Sequence, residues 1–263
     1  MTTTQSTLVQ LDNYGPWTVT PEPRREMDLQ TLQSRLFADI AQFIGGRGGY
    51  VFHTRFDNMI AVTNGINREA HTTLQESISN RYPVTISLGV DIAETPADAL
   101  QGATEQIQAA GSAQDENRTE VLAGEFLDGR SVDQEPVHIA HFDVNDATGK
   151  YTDQLNEFDS FIQIERSYAS LMEYMRKTHG ALSFFVGGDN MIAVCPELSA
   201  EAYQDAIDNV ERDVGVELKV GVGRDSTAHK AGIAAKHALE ACRSHGTTVE
   251  FSEPPVSTSD DYR

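Results

Sequence analysis

The sequence predicts an α+β protein with two tandem ferredoxin-like βαββαβ domains, each an antiparallel sheet with helices on one face. Three observations predict this fold class: an internal repeat, one aspartate pair at matched spacing in each repeat, and the same order of strand-like and helix-like segments in both. The length of 263 residues, of which 39% are hydrophobic, suits two modest domains, each with its own core.

One short segment occurs twice in the chain. Residues 56–62 (FDNMIAV) recur as residues 188–194 (GDNMIAV), with six of seven positions identical. Upstream of each copy lies a short apolar strand that ends in an aspartate. The aspartate of the strand and that of the repeated segment are 45 residues apart in one copy and 46 in the other. These pairs are Asp12 with Asp57, and Asp143 with Asp189.

After its first strand, each copy contains an amphipathic helix. In the first copy, apolar residues spaced by three and four predict one buried stripe from Leu29 to Phe43, and in the second the stripe is Tyr168, Leu171, Met172 and Met175. Glycines end both helices. Two strands joined by a tight turn follow, over 50–55 and 58–63 and over 181–186 and 190–194.

A second helix and a last strand complete each unit. Ser199 is a candidate N-cap for the second helix of the second copy, and the last strands run over 84–90 and 216–222. An alanine-rich helix then follows the last strand. The predicted domains are residues 1–110 and 136–250, with a polar linker over 111–135 and a loose tail over 251–263.

The charge balance excludes several classes of function. Forty acidic residues against 20 basic ones give a formal charge of −20, which repels nucleic-acid backbones and anionic membranes. Scattered carboxylates of this density are typical of proteins that stay soluble at high salt, so we infer a halophilic cytoplasm. No signal peptide and no membrane span is visible, and Cys195 and Cys242 are expected to be small core residues.

In the predicted topology the first strand ends beside the turn between the second and third strands, so the aspartates of each pair are expected to meet. Two such carboxylates repel each other unless a positive charge lies between them. Magnesium, bound by carboxylates, a backbone carbonyl and nucleotide phosphates, would supply that charge. The alternative is that these aspartates only shape a turn, as Asp-Asn pairs often do.

The first copy carries further candidates for phosphate binding. A glycine-containing loop, residues 13–18 (NYGPWT), follows Asp12 directly, and Arg24 and Arg25 lie at the next helix start. His53 and His141 are expected on strands near the aspartates, as structural residues or as a general base. The polar segment 111–118 (GSAQDENR) is either linker or part of a site.

Several of these motifs resemble a known family. The segment 187–190 (GGDN) on a hairpin, with Asp143 on the first strand, resembles the palm of GGDEF diguanylate cyclases and nucleotidyl cyclases. Over residues 7 to 245 the chain is similar to archaeal GTP cyclohydrolase III. The matching segments are 11–21 (LDNYGPWTVTP), 54–58 (TRFDN), 81–83 (RYP), 111–118 and 185–190 (FVGGDN).

The resemblance implies two tandem palm-like domains in a homo-oligomer that acts on GTP. The implied reaction opens the guanine imidazole ring at C8 and releases pyrophosphate. Its product would be 2-amino-5-formylamino-6-(5-phosphoribosylamino)pyrimidin-4(3H)-one, which feeds flavin and deazaflavin synthesis. Magnesium, with two or more ions per site, is the implied cofactor, and potassium is the implied activator.

The same resemblance implies which residues form the site. The implied metal ligands are Asp12, Asn13, Asp57, Asp143 and Asp189, of which the four aspartates are also the catalytic candidates. The implied substrate-binding residues are Asn13, Tyr14, Gly15, Trp17, Thr18, Arg24, Arg25 and Asn58. We favour the first copy for the GTP phosphates. Which aspartate pair holds catalytic metal, and which group activates the water that attacks C8, are open at this point.

Two other functions compete with this one. A nucleotidyl cyclase would use a ribose hydroxyl in place of water at the α-phosphate, although Asn190 stands where diguanylate cyclases usually have glutamate. A nucleotide-sensing module would keep the sites and lack turnover.

Overall fold

The computed structural model describes residues 3–127, 136–146, 149 and 153–252, and contains two repeats of the same architecture. The expected linker residues 128–135 and tail residues 253–263 lie outside the described part. The elements of the first repeat are β1 (Thr4–Leu11), α1 (Tyr14–Val19), α2 (Glu26–Gly45), β2 (Tyr50–His53), β3 (Asn58–Val62), α3 (Arg68–Ser79), β4 (Ile86–Ala93), α4 (Pro96–Ala109) and β5 (Leu122–Gly124).

The second repeat has the same order of elements without a counterpart of α1 among its described residues. Its elements are β6 (Val137–Val144), α5 (Glu157–His179), β7 (Leu182–Gly187), β8 (Asn190–Cys195), α6 (Ala200–Val214), β9 (Leu218–Asp225), α7 (Ala228–His245) and β10 (Val249–Phe251). The two sheets have the strand orders β2-β3-β1-β4-β5 and β7-β8-β6-β9-β10. The predicted fold class of two tandem βαββαβ domains is therefore confirmed.

Each sheet gains a short parallel edge strand that the sequence did not predict. β5 pairs with β4, and β10 pairs with β9. Residues 111–127, expected to be linker, therefore lie against the first sheet, because the segment after α4 returns to its open edge. Likewise Phe251, expected in the tail, belongs to β10.

Helices cover both faces of each sheet. Leu88 of β4 packs with Leu36, Ile40 and Leu74 of α2 and α3 on one face. Its neighbour Gly89 points to the opposite face, where α4 passes so closely that a Cβ there would lie 2.0 Å from the Ala103 carbonyl oxygen. The sequence predicted helices on one face of each sheet. The last helix of each repeat, α4 or α7, instead covers the opposite face.

The repeats pack against each other through equivalent residues. The rings of Phe52 and Phe184 stack with centroids 4.2 Å apart, within an apolar cluster shared by both sheets. The amide of His229 donates to the Gly48 carbonyl, and the amide of Ala97 donates to the Gly180 carbonyl. Because each repeat gives and receives the same contact, a local two-fold axis relates them.

The strand registers show which positions of the two repeats correspond. Gln10 pairs with Asn58 in the first sheet, whereas Asp143 pairs with Asn190 in the second. Asp143 is therefore the counterpart of Gln10, and the counterpart of Asp12 is Asn145. Consistent with this, the amide of Asp12 donates to the Thr85 carbonyl and that of Asn145 to the Glu217 carbonyl. The expected equivalence of Asp12 and Asp143 is wrong, because Asp143 occupies the strand position two residues before the counterpart of Asp12.

Candidate functional site

Asp12 lies just beyond the end of β1, buried in a complete set of hydrogen-bond donors. The hydroxyls of Thr85 and Ser87 donate to its carboxylate at 2.8 and 2.6 Å. The amide of Glu120 donates at 2.9 Å, and Arg118 Nη2 lies 3.1 Å from Oδ1. These four donors fill the roughly four acceptor positions that a carboxylate offers.

The backbone of Asp57 adjoins the end of β1, as the topology predicted. The Leu11 amide donates to the Asp57 carbonyl at 3.1 Å. The carboxylate of Asp57 is 37% exposed, and it accepts a hydrogen bond of 2.8 Å from Asn58 Nδ2. Arg55 Nε is 4.0 Å away, at the limit of an ion pair. Asp57 is thus far more accessible to a ligand than Asp12.

The two carboxylates are joined by a chain of side chains. Arg118 Nη2 donates to Gln10 Oε1 at 2.9 Å, and Gln10 Nε2 donates to Asn58 Oδ1 at 3.2 Å. Asn58 in turn donates to Asp57. The convergence of Asp12 and Asp57 is therefore indirect in the structure, because Arg118, Gln10 and Asn58 lie between their carboxylates.

In the second repeat the aspartates interact more directly. Asp143 is buried and accepts a 2.7 Å hydrogen bond from Arg243, whose side chain is 45% exposed. Burial, followed by the negative charge of Asp143, raises the pKa of the Asp189 carboxyl. Asn190 Nδ2 donates to Asp189, and Asn190 Oδ1 accepts a 2.9 Å hydrogen bond from His141 Nε2. The excess negative charge at this pair is the kind that a cation relieves.

Residues 14–19 form the short helix α1, so the expected open loop is wrong. Asn13 adopts a left-handed conformation with φ of 47° before this helix, and its carbonyl accepts from the Trp17 amide. That amide is therefore not available to an anion. The Thr18 hydroxyl donates to the Gly15 carbonyl, which further closes the turn. Asn13 Oδ1 is buried and has no hydrogen-bond partner in the described part of the chain.

Two small cavities share Trp17 as a lining residue. One, of about 190 Å³, is lined by Asp12, Asn13, Trp17, Tyr82, Pro83, Val84, Thr85, Glu116 and Thr119. The other, of about 360 Å³, is lined by Trp17, Pro21, Glu22, Pro23, Arg24, Arg25, Asp28 and Leu29. Four of the eight predicted substrate residues, Asn13, Trp17, Arg24 and Arg25, thus line these two cavities.

The two arginines of the doublet are placed differently. Arg24 lies over the Trp17 ring at 3.9 Å from its centroid, and its Nε donates to the Trp17 carbonyl. Arg25 forms a two-pronged ion pair with Asp28, at 2.8 and 2.9 Å. Because both of these contacts occupy the fork of Arg25, Arg24 is the better placed of the two to meet a phosphate.

The remaining predicted residues have structural partners. Tyr14 stacks with Trp17, and its hydroxyl accepts from Gln33, while burial raises its pKa. His53 stacks on Phe37 with centroids 3.9 Å apart, and burial lowers its pKa. His141 contacts Asn190, and burial lowers its pKa also. Cys195 and Cys242 are buried, as expected.

Sequence reasoning missed the partners of the aspartates. Arg118, Thr85, Ser87 and Gln10 come from three separate stretches of chain, and Arg243 comes from α7. The one feature of the sequence that pointed to these partners was the polar segment 111–118, which was interpreted either as linker or as part of a site. Within the described residues, no group of three or more histidine, cysteine or acidic side chains is arranged to hold a metal by itself.

No helix in the described residues has the length and apolar character that crossing a membrane requires.

The chain has close relatives among known proteins. A family model for GTP cyclohydrolase III matches residues 3–259. The chain is 65% identical to GTP cyclohydrolase III from Halorubrum lacusprofundi, over 97% of this chain and 99% of that protein. It is 66% identical to GTP cyclohydrolase III from Natronomonas pharaonis, over 96% of this chain and 100% of the relative.

Among solved structures, the GGDEF domain of PA1120 from Pseudomonas aeruginosa superposes with a TM-score of 0.40 at 14% identity, over 46% of this chain and 85% of that domain. The family match and the relatives' identity extend over nearly the whole sequence. The chain belongs to the GTP cyclohydrolase III family.

Proposed function

We propose that the chain is a magnesium-dependent GTP cyclohydrolase that works in the cytoplasm as a homo-oligomer. The observation that carries this proposal is the near-complete match to an enzyme family of that name. The proposed reaction uses two waters. One adds at C8 and cleaves the imidazole ring to leave a formylamino group, and the other attacks the α-phosphorus and releases pyrophosphate.

The oxygen atoms that could bind a hard cation such as Mg²⁺ differ in accessibility between the two repeats. In the first, Asp57 and the Asn13 carbonyl are candidate ligands, and Asp12 can join them only if one of its donors leaves. In the second, Asp143 and Asp189 carry excess negative charge beside one half-exposed arginine. Bound Mg²⁺ would neutralise the triphosphate and lower the pKa of a coordinated water. Potassium as an activator stays a proposal from the family resemblance.

The residues around Trp17 are suited to hold the nucleotide. Trp17 and Tyr82 line the cavity beside Asp12 and give it an apolar wall for a purine ring, and the unsatisfied Asn13 Oδ1 offers an acceptor to a guanine N–H. Arg24, held in place over Trp17, can donate further N–H groups to a phosphate. We therefore place GTP at the first repeat, with its base near Trp17.

Incubation of the chain with GTP and magnesium separates this activity from its rivals. Ring opening changes the purine ultraviolet spectrum, whereas cyclisation by a nucleotidyl cyclase leaves that spectrum intact, and a sensor leaves GTP unconsumed. We expect loss of the purine spectrum together with release of pyrophosphate. A cyclic nucleotide product, or intact GTP after prolonged incubation, would contradict the proposal.

The variant Asp57→Asn tests the proposed role of the exposed carboxylate. We expect kcat to fall by about 10²-fold or more, since the substitution removes a negative charge without changing shape. The thermal midpoint should stay close to that of the parent because Asp57 is half exposed. Arg55→Gln, which removes only the distant partner of Asp57, is the matched control and should retain most activity. Full activity of Asp57→Asn would exclude Asp57 as a ligand.

A further inference from the structure

Arg118 neutralises Asp12 inside the protein. The side chains of Arg118 and Asp12 are 4% and 1% exposed, and they form an ion pair of 3.1 Å. The same guanidinium nitrogen also reaches Gln10, while Nη1 donates to the Gly111 carbonyl at 3.2 Å. Because an unpaired buried carboxylate is very unfavourable, Asp12 depends on this positive charge.

The other donors to Asp12 are neutral. They are two hydroxyls and one amide, and with Arg118 they occupy all of the acceptor positions of the carboxylate. A cation can therefore reach Asp12 only when one donor leaves. An approaching divalent cation repels the guanidinium far more strongly than it repels a hydroxyl, so electrostatics selects Arg118 as the donor that leaves.

The guanidinium itself is incompletely satisfied. Arg118 Nε is buried and has no hydrogen-bond partner among the residues that the structure describes. A buried N–H without an acceptor costs free energy, so the present arrangement leaves part of the hydrogen-bonding capacity of Arg118 unused. This favours an exchangeable pairing of Arg118 with Asp12 over a permanent one.

We propose that Arg118 is a positioning residue that competes with a divalent cation for Asp12. In the nucleotide-free protein, its guanidinium neutralises Asp12 and holds Asp57 through Gln10 and Asn58. When a cation arrives with the nucleotide, the guanidinium leaves the carboxylate and Asp12 becomes a ligand. This inference rests on the proposed function, which supplies the cation.

Binding of Mn²⁺ to the nucleotide-free protein tests the competition without turnover. Free Mn²⁺ is measured by electron paramagnetic resonance for the parent chain, Arg118→Gln and Arg118→Lys. We expect Arg118→Gln to bind Mn²⁺ about tenfold more tightly, because no cation then opposes it. Arg118→Lys should show a smaller gain, since a flexible ammonium lacks the planar fork of arginine and leaves more readily.

Arg68→Gln is the matched control. Arg68 donates to the carbonyls of Leu122 and Gly124, so it secures the same stretch of chain without touching either carboxylate. Its Mn²⁺ affinity should equal that of the parent. The gain should also vanish when Arg118→Gln is combined with Asp12→Asn, which removes the carboxylate that the two cations share.

Circular dichroism shows whether each variant folds. If Arg118→Gln does not fold, the Mn²⁺ affinity of Arg118→Lys tests the competition in its place. Unchanged or weaker Mn²⁺ binding in the folded variants would overturn the competition, and so would a gain that survives Asp12→Asn. Failure of the parent chain to open GTP would contradict the proposed function alone, since Mn²⁺ affinity is measured without nucleotide.

Discussion

At the scale of single residues, the environment of a group determines its chemistry more than its type does. Asp12 and Asp57 are both aspartates near one strand end, yet Asp12 is buried under four donors and Asp57 is open to solvent. A cation can meet Asp57 at once, whereas Asp12 must first lose a partner. The two residues are therefore expected to act at different moments of nucleotide binding.

Trp17 is the single tryptophan of the chain, so its fluorescence reports on the cavity that we propose for the nucleotide. We expect GTP to quench this fluorescence, because a purine bound in this cavity changes the surroundings of the indole. Inorganic triphosphate, which lacks the base, should quench much less. Trp17→Phe provides the background signal. Equal quenching by both ligands would place the phosphates, and not the base, beside Trp17.

The histidine of α3 shows the same control of chemistry by environment. His71 Nδ1 lies 2.8 Å from the Asn67 carbonyl, which can only accept, so Nδ1 carries the proton and Nε2 accepts from the Thr7 hydroxyl. Thr7 then accepts from Thr63, which accepts from Gln5. Neutral His71 therefore uses both ring nitrogens, Nδ1 as a donor and Nε2 as an acceptor.

Burial lowers the pKa of His71, which gives a pH dependence of definite sign. The unfolded chain binds a proton near pH 6.5 and the folded chain only at lower pH, so stability is complete above pH 6.5 and falls as the pH drops below it. We expect the free energy of unfolding to decrease between pH 7 and pH 5. In His71→Gln that decrease should be smaller, because the titrating imidazole is gone. An equal decrease in both proteins would contradict the assignment.

At the scale of elements, close packing of a helix on a strand depends on two glycines. A Cβ on Gly89 would lie 2.0 Å from a carbonyl of α4, and one on Gly221 would lie 2.1 Å from an amide of α7. The two positions correspond, because Gly89 pairs with Leu8 and Gly221 with His141. The same approach is thus built into both repeats and places the segment after α4 beside Asp12.

Alanine at Gly89 tests this packing. We expect Gly89→Ala to lower the free energy of unfolding by about 1–3 kcal/mol, since backbone atoms must shift to admit the methyl group. Gly45→Ala is the matched control, because nothing lies within 4 Å of its Cβ and alanine favours the helix. That control should be neutral or stabilising in urea denaturation. Similar losses in both variants would show that the close approach is not the cause.

The sequence predicted the elements well and their partners poorly. The Ser199 cap, the α2 stripe and both hairpins follow from local patterns, and the structure contains them. Leu171 and Met175 of the predicted α5 stripe are buried, as expected, whereas Met172 of the same stripe is 40% exposed. Local spacing cannot fix the face of a helix when neighbouring positions are all apolar.

Only those contacts of the site that follow from the order of the strands could be predicted from the sequence. The adjacency of Asp57 to the end of β1 follows from the strand order. The pairing of Arg118 with Asp12 joins residues 106 apart through a segment with no regular pattern, so no periodicity predicts it. Asp143 lies two register positions before the counterpart of Asp12, and the similar aspartate spacings of 45 and 46 residues concealed this offset.

At the scale of the whole molecule, the charge of −20 opposes folding. Salt shortens the distance over which surface charges repel, to about 3 Å at 1 M. We expect the free energy of unfolding to rise by several kcal/mol as KCl increases from about 0.2 M to about 2 M. NaCl at equal ionic strength should act similarly if screening is the cause. A stability that does not depend on salt would contradict a halophilic design.

The central claim is that residues from distant stretches of this chain converge on a cation-bound GTP at the end of β1. A crystal structure with Mn²⁺ and a non-hydrolysable GTP analogue tests it most directly, because anomalous scattering locates the metal. The predicted result is a Mn²⁺ ion ligated by Asp57 and Asp12, with the guanidinium of Arg118 withdrawn from Asp12 and the base beside Trp17. A nucleotide bound elsewhere, with no metal near either aspartate pair, would contradict the account.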